Sequence, residues 1–204
     1  MRDRDIRVAL RTDLQREFGS DPDTVVVEEL GLCEGEALID VAVINGVLHG
    51  YEIKSARDTL DRLPGQREIY NATLDAVTIV ASGAHIAKIK AMVPVWWGIV
   101  EAVDAGRPVP SLVPLRDACA NPGTDPLAVV RLLWRDEVLA ILQERGLARG
   151  VVSKPRAMLW RRLVETVGSE ELGELVRSRL KTRLRPRAGP RPLRDDEKFR
   201  PCAM

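Results

Sequence analysis

Asp40, Glu52 and Lys54 are charged residues in unusual company. Asp40 closes Leu38-Ile39-Asp40, and about a dozen residues later Tyr51-Glu52-Ile53-Lys54 follows. Glu52 and Lys54 alternate along a strand, so both point to one face, roughly 7 Å apart. Leu38, Ile39, Val41, Val43, Val47, Leu48, Tyr51 and Ile53 surround them with apolar side chains. Two carboxylates brought to about 4 Å repel by about 4 kcal/mol even at an effective dielectric of about 20. Such a pair needs a proton, a cation or a metal ion between its members. Magnesium suits it, because it takes oxygen ligands, needs few protein carboxylates and keeps waters that can react. A lysine beside such a water can orient it and offset charge at phosphorus. A solvated strand face with a surface Glu–Lys pair has the same spacing, and short motifs recur by chance.

Gln66 and Tyr70 add to the set, four apart and therefore on one face of a following helix. With them the sequence resembles the PD-(D/E)xK nuclease superfamily. Asp40 falls on its first acid, Glu52-Ile53-Lys54 on its ExK, and Gln66-x-x-x-Tyr70 on the QxxxY helix of RecB-type members. The longer string from Leu38 to Gly46, with His49 to Ser55, Asp58-Thr59-Leu60 and Arg62-Leu63-Pro64-x-Gln66, is similar to a small bacterial family placed in that superfamily. DNA-repair endonucleases of the MmcB type are similar through the acid and ExK segments. Pro94-x-Trp96-Trp97-Gly98-Ile99 and Trp134-Arg135-Asp136-Glu137 also fit the bacterial family, so the resemblance covers most of residues 24–180. Ile39 replaces the proline of "PD" and leaves the carboxylate in place.

The resemblance implies metal-dependent phosphodiester hydrolysis in nucleic acid, DNA ahead of RNA. Asp40, Glu52 and Lys54 would be the catalytic residues. Asp40, Glu52 and the carbonyl of Ile53 would hold Mg²⁺ or Mn²⁺. Lys54 would position or activate the attacking water, while Gln66 and Tyr70 would brace the site or contact the strand. The superfamily often has a further acid upstream. Glu28 and Glu29 are the choices, and parity with Val25 and Val27 favours Glu29, which a strand-end surface role would explain equally well. A nucleic-acid-binding or accessory protein that keeps the fold without cutting is the competing class. A regulator working through the C-terminal helices is a third.

The elements that must position these residues read as follows. Ile6 to Phe18 has helical apolar spacing, and Gly19, Asp21 and Pro22 break it. Thr24–Leu30, Ala37–Ile44 and Val47–Ile53 are β-rich, with the hairpin signal Asn45-Gly46 between the last two. Asp58 to Leu74 is mostly helical, interrupted at Pro64, which can start a helix. Ala76–Ala81 is a buried strand, Ala84–Met92 a helix and Pro94–Val100 a strand. The order αβββαβαβ is an α/β arrangement. With the resemblance, residues 1–105 are expected to form a restriction-endonuclease-like αβββαβ core with a mixed central sheet flanked by helices. Residues 106–126, rich in proline, read as a connector. Leu127–Arg145, Lys154–Val167 and Glu170–Leu184 form a three-helix extension over 127–184, and 185–204 a basic flexible tail.

Parity makes the hairpin decisive. A two-residue loop would set Asp40 opposite Tyr51 and turn Asp40 and Glu52 to opposite faces. An odd-numbered loop, Ile44-Asn45-Gly46 with Gly46 left-handed, brings Asp40, Glu52 and Lys54 to one face. It puts Ile39, Val41, Val43, Tyr51 and Ile53 on the other. Relieved repulsion should then let Asp40→Asn leave the fold intact or slightly stabilised.

Composition bounds the rest. The 204 residues are 45% hydrophobic and 30% charged, which excludes general disorder. Ala91 to Val100 is the longest apolar candidate and carries Pro94, so no membrane span is expected. No apolar segment follows the charged N-terminus, and Cys33, Cys119 and Cys202 form no CxxC pair. These features point to a reduced, cytoplasmic protein without a membrane partner, compatible with a homodimer. Net charge is +1, yet ten basic residues from Arg177 onward face only three acidic ones. A basic arm on an acidic body can grip phosphates or fold back on that body. Trp96 and Trp97 read as core. His49, His85, Asp58 and Asp61 read as turn, cap or surface residues. Arg57, Arg62 and Arg67 can either reach phosphates or solvate a helix. Ser153 to Arg156, with Arg161-Arg162, can open a helix-turn-helix recognition helix, though packing explains it as well.

Overall fold

The computed structural model describes residues 1–104, 106 and 109–185. Its first helix, α1 (Asp3–Phe18), forms because Ile6, Ala9, Leu10 and Leu14 recur at helical spacing, and all four are buried. Six strands follow in the order they are paired: β1 (Val25–Leu32), β2 (Ala37–Ile44), β3 (Leu48–Lys54), β4 (Ala76–Ser82), β5 (Gly98–Val103) and β6 (Ser111–Arg116). β1, β2 and β3 pair antiparallel, β3, β4 and β5 parallel, and β6 antiparallel to β5. The parallel steps are bridged by α2 (Leu63–Thr73) and α3 (Gly83–Met92). The protein is therefore an α/β fold with a six-stranded mixed sheet flanked by helices.

The two faces of the sheet are covered differently. Ile6, Leu10 and Leu14 of α1 pack on Val41, Val43, Ile53, Val80 and Ala102. The other face carries Ala42, Ile44, Leu48, Val77 and Ile79, covered by Leu63 and Tyr70 of α2 and Ile86 and Ile89 of α3. Gly50 sits where that layer is tightest, since a Cβ there would lie 2.6 Å from Leu74 Cδ1 and 2.9 Å from Ile39 Cγ1.

Three expected boundaries are corrected. The proline-rich stretch 106–126 is not a bare connector, because it contains β6. Pro114 is tolerated there because β6 is an edge strand, with one side free of a partner among the described residues. Pro94 to Trp97 is a turn, and β5 begins only at Gly98. The first helix of the extension is broken in two: α4 (Pro126–Val130) and α5 (Arg135–Glu144). Glu137 Oε2 accepts the Trp134 backbone N–H at 2.7 Å and starts the second piece. With α6 (Arg156–Thr166) and α7 (Ser169–Leu184) this makes four helices. They share one apolar cluster with the sheet, through Val130, Leu133, Ile141, Leu159, Leu163 and Leu172. Trp97 is fully buried, as read from the sequence, and its indole N–H donates to Asn71 Oδ1 at 2.9 Å. No described helix is long and apolar enough to cross a membrane.

The basic arm folds back on the body as far as Arg185. Arg177 pairs with Asp75 (2.9 Å), Lys181 and Arg185 with Asp23 (2.6 and 3.1 Å), Arg179 with Glu144 and Arg183 with Glu137. The remainder of the expected tail, residues 186–204, lies outside the described residues.

His49 has no second histidine beside it. It stacks on Tyr51 with ring centroids 4.3 Å apart and bonds Thr78 Oγ1 through Nε2 (2.9 Å) and the Tyr51 hydroxyl through Nδ1 (3.3 Å). A neutral imidazole satisfies both contacts, and burial pushes its pKa from 6.5 down to about 4. The unfolded chain takes up the proton first, so His49 stabilises the fold fully above about pH 6.5, and that contribution is lost as pH falls to about 4. Denaturant titrations at pH 7 and pH 5 should show a loss of about 2 kcal/mol in wild type that is absent in His49→Gln.

Candidate active site

The hairpin between β2 and β3 has the odd-numbered loop that a shared site requires, displaced by one residue. Ile44 pairs with Leu48 and Val41 with Tyr51, so the loop is Asn45-Gly46-Val47. Asn45 Oδ1 accepts the Val47 N–H at 3.0 Å. This side-chain turn takes over the role expected of a left-handed Gly46, whose φ is not positive.

The ladder stops at Val41–Tyr51. Its continuation would set Asp40 against Glu52. Instead Asp40 Oδ2 takes the backbone N–H of Ile53 at 2.7 Å. On the other side Glu28 pairs with Val41 and Leu30 with Ile39, while Glu29 and Asp40 between them do not pair. Glu29 has φ 55°, in the left-handed region that costs a non-glycine residue about 1–2 kcal/mol. The kink reverses the pleat of both strands. Val25, Val27, Ala42 and Ile44 face the helical layer before it, and Leu30, Leu32, Ala37 and Ile39 face the same layer after it. Ile39 therefore does not share a face with Val41 and Val43, contrary to strict alternation. Asp40 stands at the reversal.

Glu52 is 2% exposed and Lys54 5%. Lys54 Nζ donates to Glu52 Oε1 at 2.6 Å and to Gln66 Oε1 at 3.1 Å. Gln66 Nε2 donates to Glu52 Oε1 at 2.9 Å, and the Tyr70 hydroxyl to Glu52 Oε2 at 2.7 Å. The same hydroxyl lies 2.9 Å from the Leu38 carbonyl. Tyr70 has one proton for two acceptors, and a proton on Glu52 would release it for Leu38. Burial raises the Glu52 pKa most, Lys54 opposes it, and the Asp40 charge adds to the rise. Burial also raises Tyr70, with Glu52 adding to it. The spacing-derived set Glu52, Lys54, Gln66 and Tyr70 is thus one hydrogen-bonded cluster.

Arg7 was not legible in the sequence. Its Nη2 donates to Asp40 Oδ1 at 2.6 Å and its Nη1 to the Asp40 carbonyl at 3.0 Å, while Nε reaches Asp3 at 3.4 Å. An arginine beside the apolar stripe of an amphipathic helix looks like any solvated one, and no motif marks it. Of the two upstream acids, Glu29 lines the cleft and Glu28 pairs with Arg11 at 2.7 Å. Asp58 caps the turn after β3 by accepting the Ser55 N–H at 2.7 Å. His85 Nε2 lies 3.0 Å from the Ser55 carbonyl, and Arg67 is held on the Met92 carbonyl at 2.7 Å.

Asp40, Glu52, Lys54 and Gln66, with Glu29, open on a cleft of about 720 Å³. Seven carboxylates line it (Asp3, Glu29, Glu36, Asp40, Glu52, Asp58 and Asp61) against Lys54 and Arg62. A second cavity, about 780 Å³, lies at the hairpin end of the sheet beside α7, around the Asp75–Arg177 pair. It holds no comparable cluster of acids with a lysine. Among the described residues no three His, Cys, Asp or Glu side chains converge as a metal cage. A magnesium ion that keeps its waters needs only one or two carboxylates. A carboxylate oxygen has about two lone-pair sites. Asp40 Oδ1, Asp40 Oδ2 and Glu52 Oε2 each accept one protein donor and retain one site, whereas Glu52 Oε1 accepts two. That donor set fits a hydrated Mg²⁺ or Mn²⁺.

Arg7 overturns the expectation that Asp40→Asn is neutral or stabilising. Asparagine can still accept from Ile53 but removes the charge opposite a guanidinium that is 19% exposed, leaving it the backbone carbonyl of residue 40 and the more distant Asp3. Asp40→Asn and Arg7→Met should each lower stability by about 1–2 kcal/mol, measured by denaturant unfolding without divalent cations. The double variant should cost less than the sum.

Comparison with known proteins places the chain in context. A model of the family described as bacteriophage P4 protein cII matches residues 1–189. Protein cII of Enterobacteria phage P4 is 31% identical over 101 residues, which are 50% of this chain and 38% of that protein. The chain thus matches well under two thirds of that relative's length. A protein of unknown function from Silicibacter pomeroyi superposes with a TM-score of 0.45 at 14% identity, covering 75% of this chain and 98% of its own.

Proposed function

The chain belongs to the bacteriophage P4 protein cII family, and for it we propose a metal-dependent nuclease that hydrolyses phosphodiester bonds in nucleic acid, DNA ahead of RNA. In this reading residues 1–105, with β1–β5 and α1, α2 and α3, are a restriction-endonuclease-like core of the PD-(D/E)xK superfamily, and the protein is cytoplasmic. The observation that carries the reading is the closed set Glu52–Lys54–Gln66–Tyr70, buried beside Asp40 where β2 and β3 part. A pure structural core has no use for a nearly inaccessible glutamate and lysine at the wall of an open cleft.

Mg²⁺ or Mn²⁺, held by Asp40, Glu52 and the Ile53 carbonyl, would supply Lewis acidity and a reactive water when bound. The chain does the rest. Lys54 Nζ, fixed by Glu52 and Gln66, aims a positive charge at a water or at the phosphoryl oxygens as charge develops there. Tyr70 and Gln66 hold the Glu52 carboxylate in one orientation. Glu29 adds a carboxylate at the cleft wall, and the acid-rich lining draws cations before it admits phosphates. The second reading, a nucleic-acid-binding or accessory protein that does not cut, draws on one fact. Each oxygen of Asp40 and Glu52 already has a protein donor, so the site stands without a cation.

Single-stranded, duplex, branched and RNA substrates incubated with Mn²⁺ decide between them. Cleavage should require Mg²⁺ or Mn²⁺, stop with a chelator and be weak with Ca²⁺. Asp40→Asn should abolish it, Lys54→Ala should slow it about 100-fold or more, and Gln66→Ala should be milder. Independently, saturating Mn²⁺ should raise the melting temperature of wild type but not of Asp40→Asn. No cutting of any substrate, or equal cutting by Asp40→Asn, would hand the protein to the second reading.

A further inference from the structure

An acid-lined cleft cannot by itself grip a polyanion, so a nucleic acid that reaches it needs cationic contacts elsewhere on the protein. The α7 arginines do not provide them as far as Arg185, because each is spent on a carboxylate of the body. α6 differs. Arg149, Arg161 and Arg162 line a pocket of about 300 Å³ together with Val151, Met158 and Glu165. Among the described residues none of these three arginines makes an ion pair, whereas Arg145 and Arg156 nearby in sequence are paired with Glu171 and Glu34. The Nε of Arg162 is buried and has no hydrogen-bond partner. One carboxylate, Glu165, stands against three guanidiniums, so the pocket keeps an uncompensated positive charge.

The helix that carries most of this pocket also touches the wall of the cleft. Arg156, which opens α6, pairs with Glu34 in the tight turn Cys33–Gly35, and the next residues, Gly35 and Glu36, line the cleft itself. Arg161 is five residues further along α6, about 8 Å down the helix axis and about 140° around it, so a strand held by the pocket would pass around α6 to reach the cleft.

We propose that the Arg149–Arg161–Arg162 pocket docks the phosphodiester backbone of a nucleic acid whose adjoining segment enters the cleft. The inference rests on the nucleic-acid reading of that cleft and adds the surface that holds the substrate. Guanidiniums take phosphate oxygens two at a time. Val151 and Met158, the latter 47% exposed, supply apolar walls for a sugar. Such contacts position a backbone without reading its sequence.

Fluorescence anisotropy with a fluorescein-labelled DNA strand and its duplex, in Ca²⁺ across a salt series, tests this. Arg149→Gln/Arg161→Gln spares the half-buried Arg162 and should weaken binding about tenfold or more, with the log–log salt slope shallower by about 2. Glu165→Gln removes the one opposing carboxylate and should tighten binding severalfold. Unchanged affinity and slope in the double variant, or no binding by wild type, would overturn the proposal. Wild type that cuts while the double variant keeps its slope rejects the pocket and leaves the nuclease reading standing. Wild type that never cuts, paired with a double variant that loses its slope, does the reverse.

Discussion

Everything around the cleft depends on one glutamate being kept from water. Glu52 is almost inaccessible, and an ionised carboxylate in that position would cost several kcal/mol without partners. Among the described residues the partners come from two elements, β3 and α2. Lys54 is two residues along the same strand, while Gln66 and Tyr70 are successive turns of the helix that lies over it. The register of β3 against the sheet and the seating of α2 are therefore set together. Sliding β3 by one residue would turn Glu52 and Lys54 toward the apolar side of α1. Rotating α2 would remove the amide and hydroxyl that satisfy them. A site with this requirement cannot drift locally, because its polar groups and its apolar packing share the same two backbones.

The second constraint is the break at Glu29 and Asp40. Regular alternation would have made β2 an ordinary strand and directed Asp40 at Glu52 across a continuous ladder. The left-handed Glu29 stops the alternation, and Asp40 then fills the gap in two directions. Its side chain replaces a missing carbonyl for Ile53, and its charge is matched by Arg7 from the opposite layer. Strain in one residue of β1 is thus offset by bonds made from its neighbour in β2. An irregularity of this kind is worth its cost where a backbone must be opened beside a reactive group.

Much of this was written in the sequence, and what was hidden had specific causes. Helical spacing from Ile6 to Leu14, the β-rich run Ala37–Ile44 and the apolar run from Ala76 located their elements closely, because a buried helix face leaves a period and buried strands leave short apolar runs. The Glu52–Lys54 and Gln66–Tyr70 spacings foretold which side chains meet, since strand and helix periods fix those faces. Three things left no period. β6 is an edge strand six residues long with a proline in it, so its composition reads as a loop. The division between α4 and α5 comes from a tertiary fit of Leu132 and Leu133 into the core, with no breaker residue between them. Arg7 acts through a partner 33 residues away, and distance in sequence erases such a signal.

The pairing of α7 with the body also bears on how the chain is made. Asp23, beside the start of β1, waits for Lys181, which is 158 residues later, and Asp75, at the start of β4, waits for Arg177, 102 residues later. Synthesis from the N-terminus completes the sheet well before either cation exists. During that interval a nascent body would carry uncompensated acids and a bare apolar flank where Leu172, Val176 and Leu180 later dock. Long-range closure of this sort is slow, and half-built surfaces of this sort adhere to one another. Release of the last described helix from the ribosome is then the event that both neutralises and seals the protein.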